Sequence, residues 1–320
     1  MLAKMEDAPV DGGGERDWFP NVLGVVAIVL WSSTVGFSRL VMEDLGIARA
    51  VACQYLLAGF LLCAIEFARS RSLRRLREIP PTYLIVCGLL FVAYMACLFG
   101  GLGLAKDRRQ AIEVGLLNYL WPALVVVFSV PILRYRARWA LLAPGAAMGI
   151  AGAGIALAAG SQTSLSLADF FAGIRSSPLP YLLGLTGGIL WGLYSNFVRR
   201  LSKPDAAAGT PLFALASGGL FALLIPLSDH SPTWSGLAAL GVAYLGVLPG
   251  AIGYVFWETG MRRGNVVLLG SLSFFTPVLS TLISCALLKV WFGPDLLVGC
   301  CLVVAGAWVC KLSVKTSLRE

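Results

Sequence analysis

Apolar positions in this chain neither alternate nor keep to one helical stripe; they fill whole stretches. About ten such stretches run from Asn21 to Cys310, at roughly 21–40, 47–68, 82–103, 109–133 and 139–159, then 180–199, 211–228, 236–259, 265–288 and 294–313. A bilayer core of about 30 Å takes roughly 20 apolar residues as a helix, and each stretch is near that length. In hydrocarbon, backbone polar groups must be paired inside their own segment or in a closed barrel. The alternation of a barrel is absent, so the expected fold is an all-α polytopic membrane protein with ten transmembrane helices.

The two halves of the run repeat. Gly24 to Trp31, then Phe37 and Arg39, match Gly184 to Trp191, then Phe197 and Arg199, at an offset of 160 residues. Tyr94 and Tyr254 keep that offset, while Gly115 and Pro122 match Gly270 and Pro277 at 155, as if one loop were five residues shorter in the second half. Five spans are an odd number, so the second unit enters the membrane upside down. Two inverted repeats place a site near mid-membrane and let it face either side in turn, as in a small transporter. The divisions expected are a cytoplasmic tail over 1–20, one five-helix repeat over 21–159, a connection over 160–179 that carries a short surface helix, a second repeat over 180–313, and a cytoplasmic tail over 314–320.

Charge then sets the orientation. Eighteen of the 25 lysines and arginines fall on the side of the N-terminal tail and seven on the other, which places both termini inside. Lys106, Arg108 and Arg109 are the exception. The net charge of +8 is spread over loops between spans, so it reads as topology and not as a nucleic-acid surface. Only 13% of residues are charged and mean hydropathy is +0.81, against about 25% charged in soluble domains. No cleaved leader is read from residues 1–20; the first span itself serves for insertion.

Chemistry for catalysis is sparse. The eight cysteines lie in apolar stretches without metal-ligand spacing and read as small buried hydrophobes. His230 is the only histidine, which removes most hydrolase, metal and proton-shuttle designs. No enzyme activity, cofactor or metal is expected. A lipid-modifying enzyme would need a nucleophile or base set near an interface, and a purely structural protein has no need of a two-faced site.

The candidate binding residues are therefore aromatic and neutral. Trp31, Trp121 and Trp191 lie near the middle of their spans, and Tyr94, Tyr119, Tyr194 and Tyr254 are also well inside. Gly184, Gly187, Gly188, Trp191 and Tyr194 share one helical face, where small residues admit a neighbour and rings line either a cavity or a packed interface. Trp18, Trp139, Trp234 and Trp291 stand near span ends, where an interfacial belt is expected. Gln54, Asn118, Asn196 and Ser273 carry neutral polar groups. Asn118 and Ser273 are repeat equivalents, each four before a proline, and such groups hold a zwitterion, or pair helices, without a buried charge. Glu113 and Glu258 are the most interior acids. Arg109 and Arg262 lie four residues away from them, at the spacing of helix-end ion pairs. Pro122 and Pro277 each remove a backbone hydrogen bond and kink spans four and nine, as a hinge or a static bend. Gly145-x-x-x-Gly149 and Gly184-x-x-x-Gly188 permit close contact within a subunit or in a homo-oligomer.

Residues 21–313 resemble the drug/metabolite transporter superfamily, whose members pair two five-helix EamA-type units. The resemblance rests on the Trp31 and Trp191 helices and on segments 110–157 and 264–309. In these, a proline-bearing span runs into a glycine-rich one, with Pro122 then Gly145, Gly149 and Gly152, and Pro277 then Gly299 and Gly306. Trp31-Ser-Ser-Thr-Val-Gly-Phe-Ser-Arg39 and Asn118-Tyr-Leu-Trp-Pro122 look most like the aromatic amino-acid exporter (YddG-type) group. One departure stands out. Many members carry Gly-Glu where the proline-bearing span ends, and here those places read Leu133-Arg134-Tyr135 and Leu288-Lys289-Val290, so no role of that glutamate transfers. The resemblance implies ten helices around a central cavity in a bacterial inner membrane. It also implies export of aromatic and other hydrophobic amino acids, with the small molecule and the lipid bilayer as partners, no nucleic acid, and a homo-oligomer left open. A drug cation, nucleobase or sugar is the alternative cargo.

Overall fold

The computed structural model describes residues 18–70, 78–106, 108–161, 167–203, 208–228, 230–288 and 294–315. In the first half they form α1 (Phe19–Ser32), α2 (Thr34–Leu45), α3 (Ile47–Ser70), α4 (Pro81–Gly103), α5 (Arg108–Asn118), α6 (Trp121–Ile132), β1 (Arg136–Ala137) and α7 (Trp139–Ser161). A short helix, α8 (Leu167–Ser176), follows in the connection. The second half holds α9 (Pro178–Leu201), α10 (Thr210–Leu224), α11 (Gly236–Leu245), α12 (Tyr254–Arg263), α13 (Val266–Leu272), α14 (Phe275–Leu288), α15 (Pro294–Ser313) and β2 (Val314–Lys315).

Among the described residues, Ile47–Ala68, Pro81–Gly103, Thr210–Leu227 and Gly236–Arg263 are long and apolar enough to cross a membrane, and Phe19–Ser32, Trp121–Ile132, Trp139–Ile155, Val266–Ser280 and Val298–Ser313 are shorter apolar helices. Their starts follow ordinary rules. Pro81 and Pro211 stand in first turns, where the missing N–H costs nothing. The Ser235 and Asn265 side chains cap α11 and α13, each accepting from an N–H 2.9 Å away. Outward faces are apolar: Leu89 is 67% and Leu223 77% exposed, an arrangement stable only where the solvent is lipid.

Four spans are not the single regular helices expected from their apolar runs. The first breaks at Ser33. The Ser33 hydroxyl donates to the Leu30 carbonyl and that of Thr34 to the Trp31 carbonyl, at 2.7 and 2.6 Å, so two side chains compete with the backbone ladder. The fourth breaks at Tyr119-Leu120, between α5 and α6, and the ninth at Ser273-Phe274, between α13 and α14. These turns are repeat equivalents. A proline clashes with the carbonyl four residues earlier, and for Pro122 and Pro277 those residues are Asn118 and Ser273. Each break therefore falls at the kink the prolines imply, just ahead of the ring. In the eighth span, α11 passes into α12 through π-helical turns over Gly246–Gly253, with Pro249 inside them. Wider turns carry the chain past a residue that cannot donate.

The helices pair in matched sets. α7 and α15 pack along their lengths, as do α3 and α10, and α6 packs on α13. α4 packs on α9, and α1 on α12. Glycines expected to permit close contact do so: a Cβ on Gly145 of α7 would lie 2.9 Å from the Cys310 backbone nitrogen of α15, and one on Gly184 of α9 2.6 Å from the Val114 carbonyl oxygen of α5. One element was not expected. Val314 and Lys315, read from the sequence as the start of a tail, pair antiparallel with Ala137 and Arg136, and the Arg138 N–H donates to the Ser313 carbonyl at 2.8 Å.

Candidate functional site

Trp31 ends α1, Trp121 opens α6, and Trp191 sits midway along α9. Their rings meet: Trp31 lies 5.4 Å from Trp191 and 6.4 Å from Trp121, and Trp121 lies 6.2 Å from Trp191, all edge to face. Tyr94 of α4 and Tyr194 of α9 flank Trp191 at 4.7 and 4.9 Å, and Tyr254 of α12 reaches Trp31 at 5.0 Å. Six aromatic positions chosen from depth and repetition thus converge on one centre. Each well-placed pair adds about 0.5–1.5 kcal/mol beyond burial. Tyr119 packs on the same cluster from the turn after α5.

Two local devices hold the centre. The Trp31 indole N–H donates to the Pro249 carbonyl at 3.2 Å, in the π-helical turns. A Cβ on Gly253 would come within 2.9 Å of that indole nitrogen, so only glycine lets α1 approach. The Tyr254 hydroxyl pairs with the Tyr55 hydroxyl at 2.9 Å.

Sequence reasoning missed Trp257. It stacks on Trp191 at 6.2 Å, meets Trp31 at 5.3 Å and Trp121 at 5.5 Å, and donates its indole N–H to Ser195 at 3.2 Å. Phe91 was also missed; it bridges Trp191, Tyr194 and Tyr254. Both lie three residues from a chosen tyrosine, which was the available signal. Neither has an aromatic repeat mate, because the matching positions are Cys97 and Ala251.

The polar groups divide. Asn118 closes α5 against the glycine face of α9. A Cβ on Gly187 would lie 3.1 Å from its Oδ1, and one on Gly188 3.0 Å from its carbonyl oxygen. That Oδ1 is buried and finds no hydrogen-bond partner in the protein, and the same holds for Oγ of Ser271 and Oγ1 of Thr276 beside the other break. Ser273 itself spends its proton on the Leu269 carbonyl at 2.7 Å, which leaves its hydroxyl an acceptor only. Asn196 donates to the carbonyls of Val125 and Gly192 at 3.0 and 2.9 Å, bridging α9 to α6.

The acids lie outside the tryptophans of this centre, with Glu258 next to its edge at Tyr194. Glu258 is wholly buried. Its Oε1 accepts from the Tyr83 hydroxyl and, at 3.0 Å, from the Gly209 N–H; its Oε2 accepts from the Thr210 hydroxyl and, at 3.1 Å, from the Thr210 N–H. Arg262, four residues on, completes an ion pair at 3.6 Å. The carboxylate therefore caps the start of α10 and ties it to α4 and α12. Arg262 also donates to the Lys203 carbonyl, and Arg199 to the Arg262 carbonyl. Rings connect this knot to the centre: Phe213 touches Tyr83 at 5.8 Å, Phe91 at 5.9 Å and Tyr194 at 6.3 Å. Glu113 accepts from the Tyr181 hydroxyl at 2.5 Å. The Arg109 side chain, its expected partner, lies outside the described residues, as do Lys289 and Trp291.

Comparison with known proteins identifies the family. The model of the EamA-like transporter family matches residues 18–158 and again 178–311. The chain is 32% identical over 295 residues to a protein of Salmonella typhimurium named aromatic amino acid exporter YddG, covering 92% of this chain and 97% of that one. It is 33% identical over 296 residues to a protein of the same name from Ancylobacter novellus, covering 91% and 96%. A solved crystal structure superposes with a TM-score of 0.78 at 30% identity, over 93% of this chain and 99% of the other.

Proposed function

The chain belongs to the EamA-like transporter family, and from that premise we propose that it exports aromatic and other hydrophobic amino acids across a bacterial inner membrane. Substrate enters from the cytoplasm, lodges among Trp31, Trp121, Trp191, Tyr94, Tyr119, Tyr194 and Tyr254, and leaves on the far side. Both relatives named above are aromatic amino acid exporters, and an indole or phenyl side chain is the cargo an aromatic centre fits. The observation that carries the reading is the meeting of rings from both halves at one buried point.

The architecture proposed is ten spans in two inverted five-helix repeats, 21–159 and 180–313, with both termini cytoplasmic. Exchanging the halves turns α4 on α9 into α12 on α1, and returns α3 on α10 and α7 on α15 to themselves; those are observed pairings. The breaks after Asn118 and before Phe275 supply the discontinuous helices at which transporters of this design hold substrate. A zwitterionic amino acid brings an ammonium and a carboxylate. Unpartnered Asn118 Oδ1 and the Ser273 hydroxyl are acceptors for the first. Hydroxyls beside the second break are donors for the other, so no buried protein charge is required.

The test is counterflow of labelled tryptophan into proteoliposomes of the purified chain. Uptake should be saturable and competed by phenylalanine and tyrosine. Uptake no faster than in protein-free liposomes, or competition by flat organic cations alone, would refute the proposal.

A further inference from the structure

We propose that the corner where the end of α15 meets the start of α7 binds an anionic phospholipid, with its headgroup on a cluster of cations and an acyl chain along α15. The two-residue ribbon builds this corner. It draws the exposed Arg134, Arg136 and Arg138 against the last turn of α15, where Lys311 is also exposed. Arg200 reaches the same connection from α9, donating to the Ile132 carbonyl at 2.9 Å. Residues 114–168 and 296–319, which carry the corner, contain no aspartate or glutamate, so neither segment supplies a neutralising charge.

Arg134 adds an independent sign. Its φ of 57° is left-handed, a conformation that glycine or asparagine adopts more cheaply. An arginine at that turn puts a charge where the backbone alone asks for a smaller residue.

The apolar half of the site lies alongside. Cys300, Cys301, Val304, Ala305 and Trp308 line a shallow, open groove on the outer face of α15, almost wholly apolar. Trp308 and Trp139 both point outward at this end, 61% and 54% exposed, as rings do at a headgroup boundary. The Lys311 ammonium sits 5.5 Å from the centre of the Trp308 ring, so the cation stands at the mouth of the groove. Charge above and hydrocarbon below match a phosphate-bearing lipid. A two-fold copy of the chain on this face would set the same cations against each other.

The test uses the full chain, delipidated in detergent, with phosphatidylglycerol and phosphatidylethanolamine of identical acyl chains, read by native mass spectrometry. Phosphatidylglycerol should bind at least fivefold more tightly. Arg136→Gln with Arg138→Gln and Lys311→Gln should bring the two lipids within twofold at an unchanged melting temperature, and the single variants should each give part of that loss. Trp308→Ala should weaken phosphatidylglycerol. Equal binding of the two lipids by the unaltered chain, an undiminished preference in the variants, or displacement of the lipid by an equal concentration of inorganic phosphate would overturn the proposal. So would a stable dimer that Trp308→Ala dissolves.

Discussion

Trp191 touches Trp31, Trp121 and Trp257, and it also meets Phe91, Tyr94, Tyr194 and Tyr254. Trp191→Ala should therefore abolish tryptophan counterflow and destabilise the fold by about 3–5 kcal/mol, the usual cost of emptying so large a site, seen as a lower melting temperature in detergent. Trp191→Phe should restore most of the melting temperature and shift the substrate preference. Glu258 predicts differently, because it holds an end of the bundle and touches no central tryptophan. Glu258→Ala should cost about 3–5 kcal/mol, since it breaks the buried pair with Arg262 and takes the acceptor from the Tyr83 and Thr210 hydroxyls and the first N–H groups of α10. Glu258→Gln, which keeps an acceptor oxygen, should cost clearly less in the same melting experiment. Repetition alone makes Trp31, Trp191, Tyr94 and Tyr254 legible in the sequence. Trp257 is not legible that way, because its counterpart is a cysteine. Nor can spacing reveal that Ser273 spends its proton on its own helix while Ser271 and Thr276 do not: a backbone break decides that, not a pattern of residue types.

Among the elements, the paired interruptions are where we propose that the chain hinges. Pro122 and Pro277 keep the helix ladder from crossing Asn118 and Ser273. Replacing both prolines with alanine should let the two helices run on, leave helix content by circular dichroism unchanged or slightly higher, and slow counterflow at least fivefold. The π-helical turns make a second, one-sided interruption. Gly253→Val should drive Trp31 off the Pro249 carbonyl, so transport should be lost while the protein still inserts and purifies; wild-type counterflow in that variant would show the contact to be incidental. Pro249 signals some irregularity there, but whether a proline kinks, breaks or widens a helix depends on what packs beside it. The break at Ser33 is equally hidden, since serine and threonine compete with the ladder only when they turn back on it.

At the level of the whole molecule, the apolar helices can be read from run length, because lipid imposes it so strongly, and the doubling from offsets, which the family model repeats by matching residues 18–158 and again 178–311. The β1–β2 ribbon cannot, because two residues per strand leave no periodicity to detect. If the halves are inverted with both ends inside, impermeant labels on cysteines introduced at Lys4 and Thr316 should react from one and the same side of inverted vesicles, and opposite reactivity would dismantle the topology. The pairing of α7 with α15 reaches further than geometry. The fifth span is synthesised early, but its glycine face waits for a partner that leaves the ribosome much later. Until α15 has been added, Gly145 and Gly152 lack the surface they pack against. A nascent chain arrested anywhere before that point is an open structure for quality-control proteases to find, and the two ribbon residues that follow act as the clasp that ends its exposure.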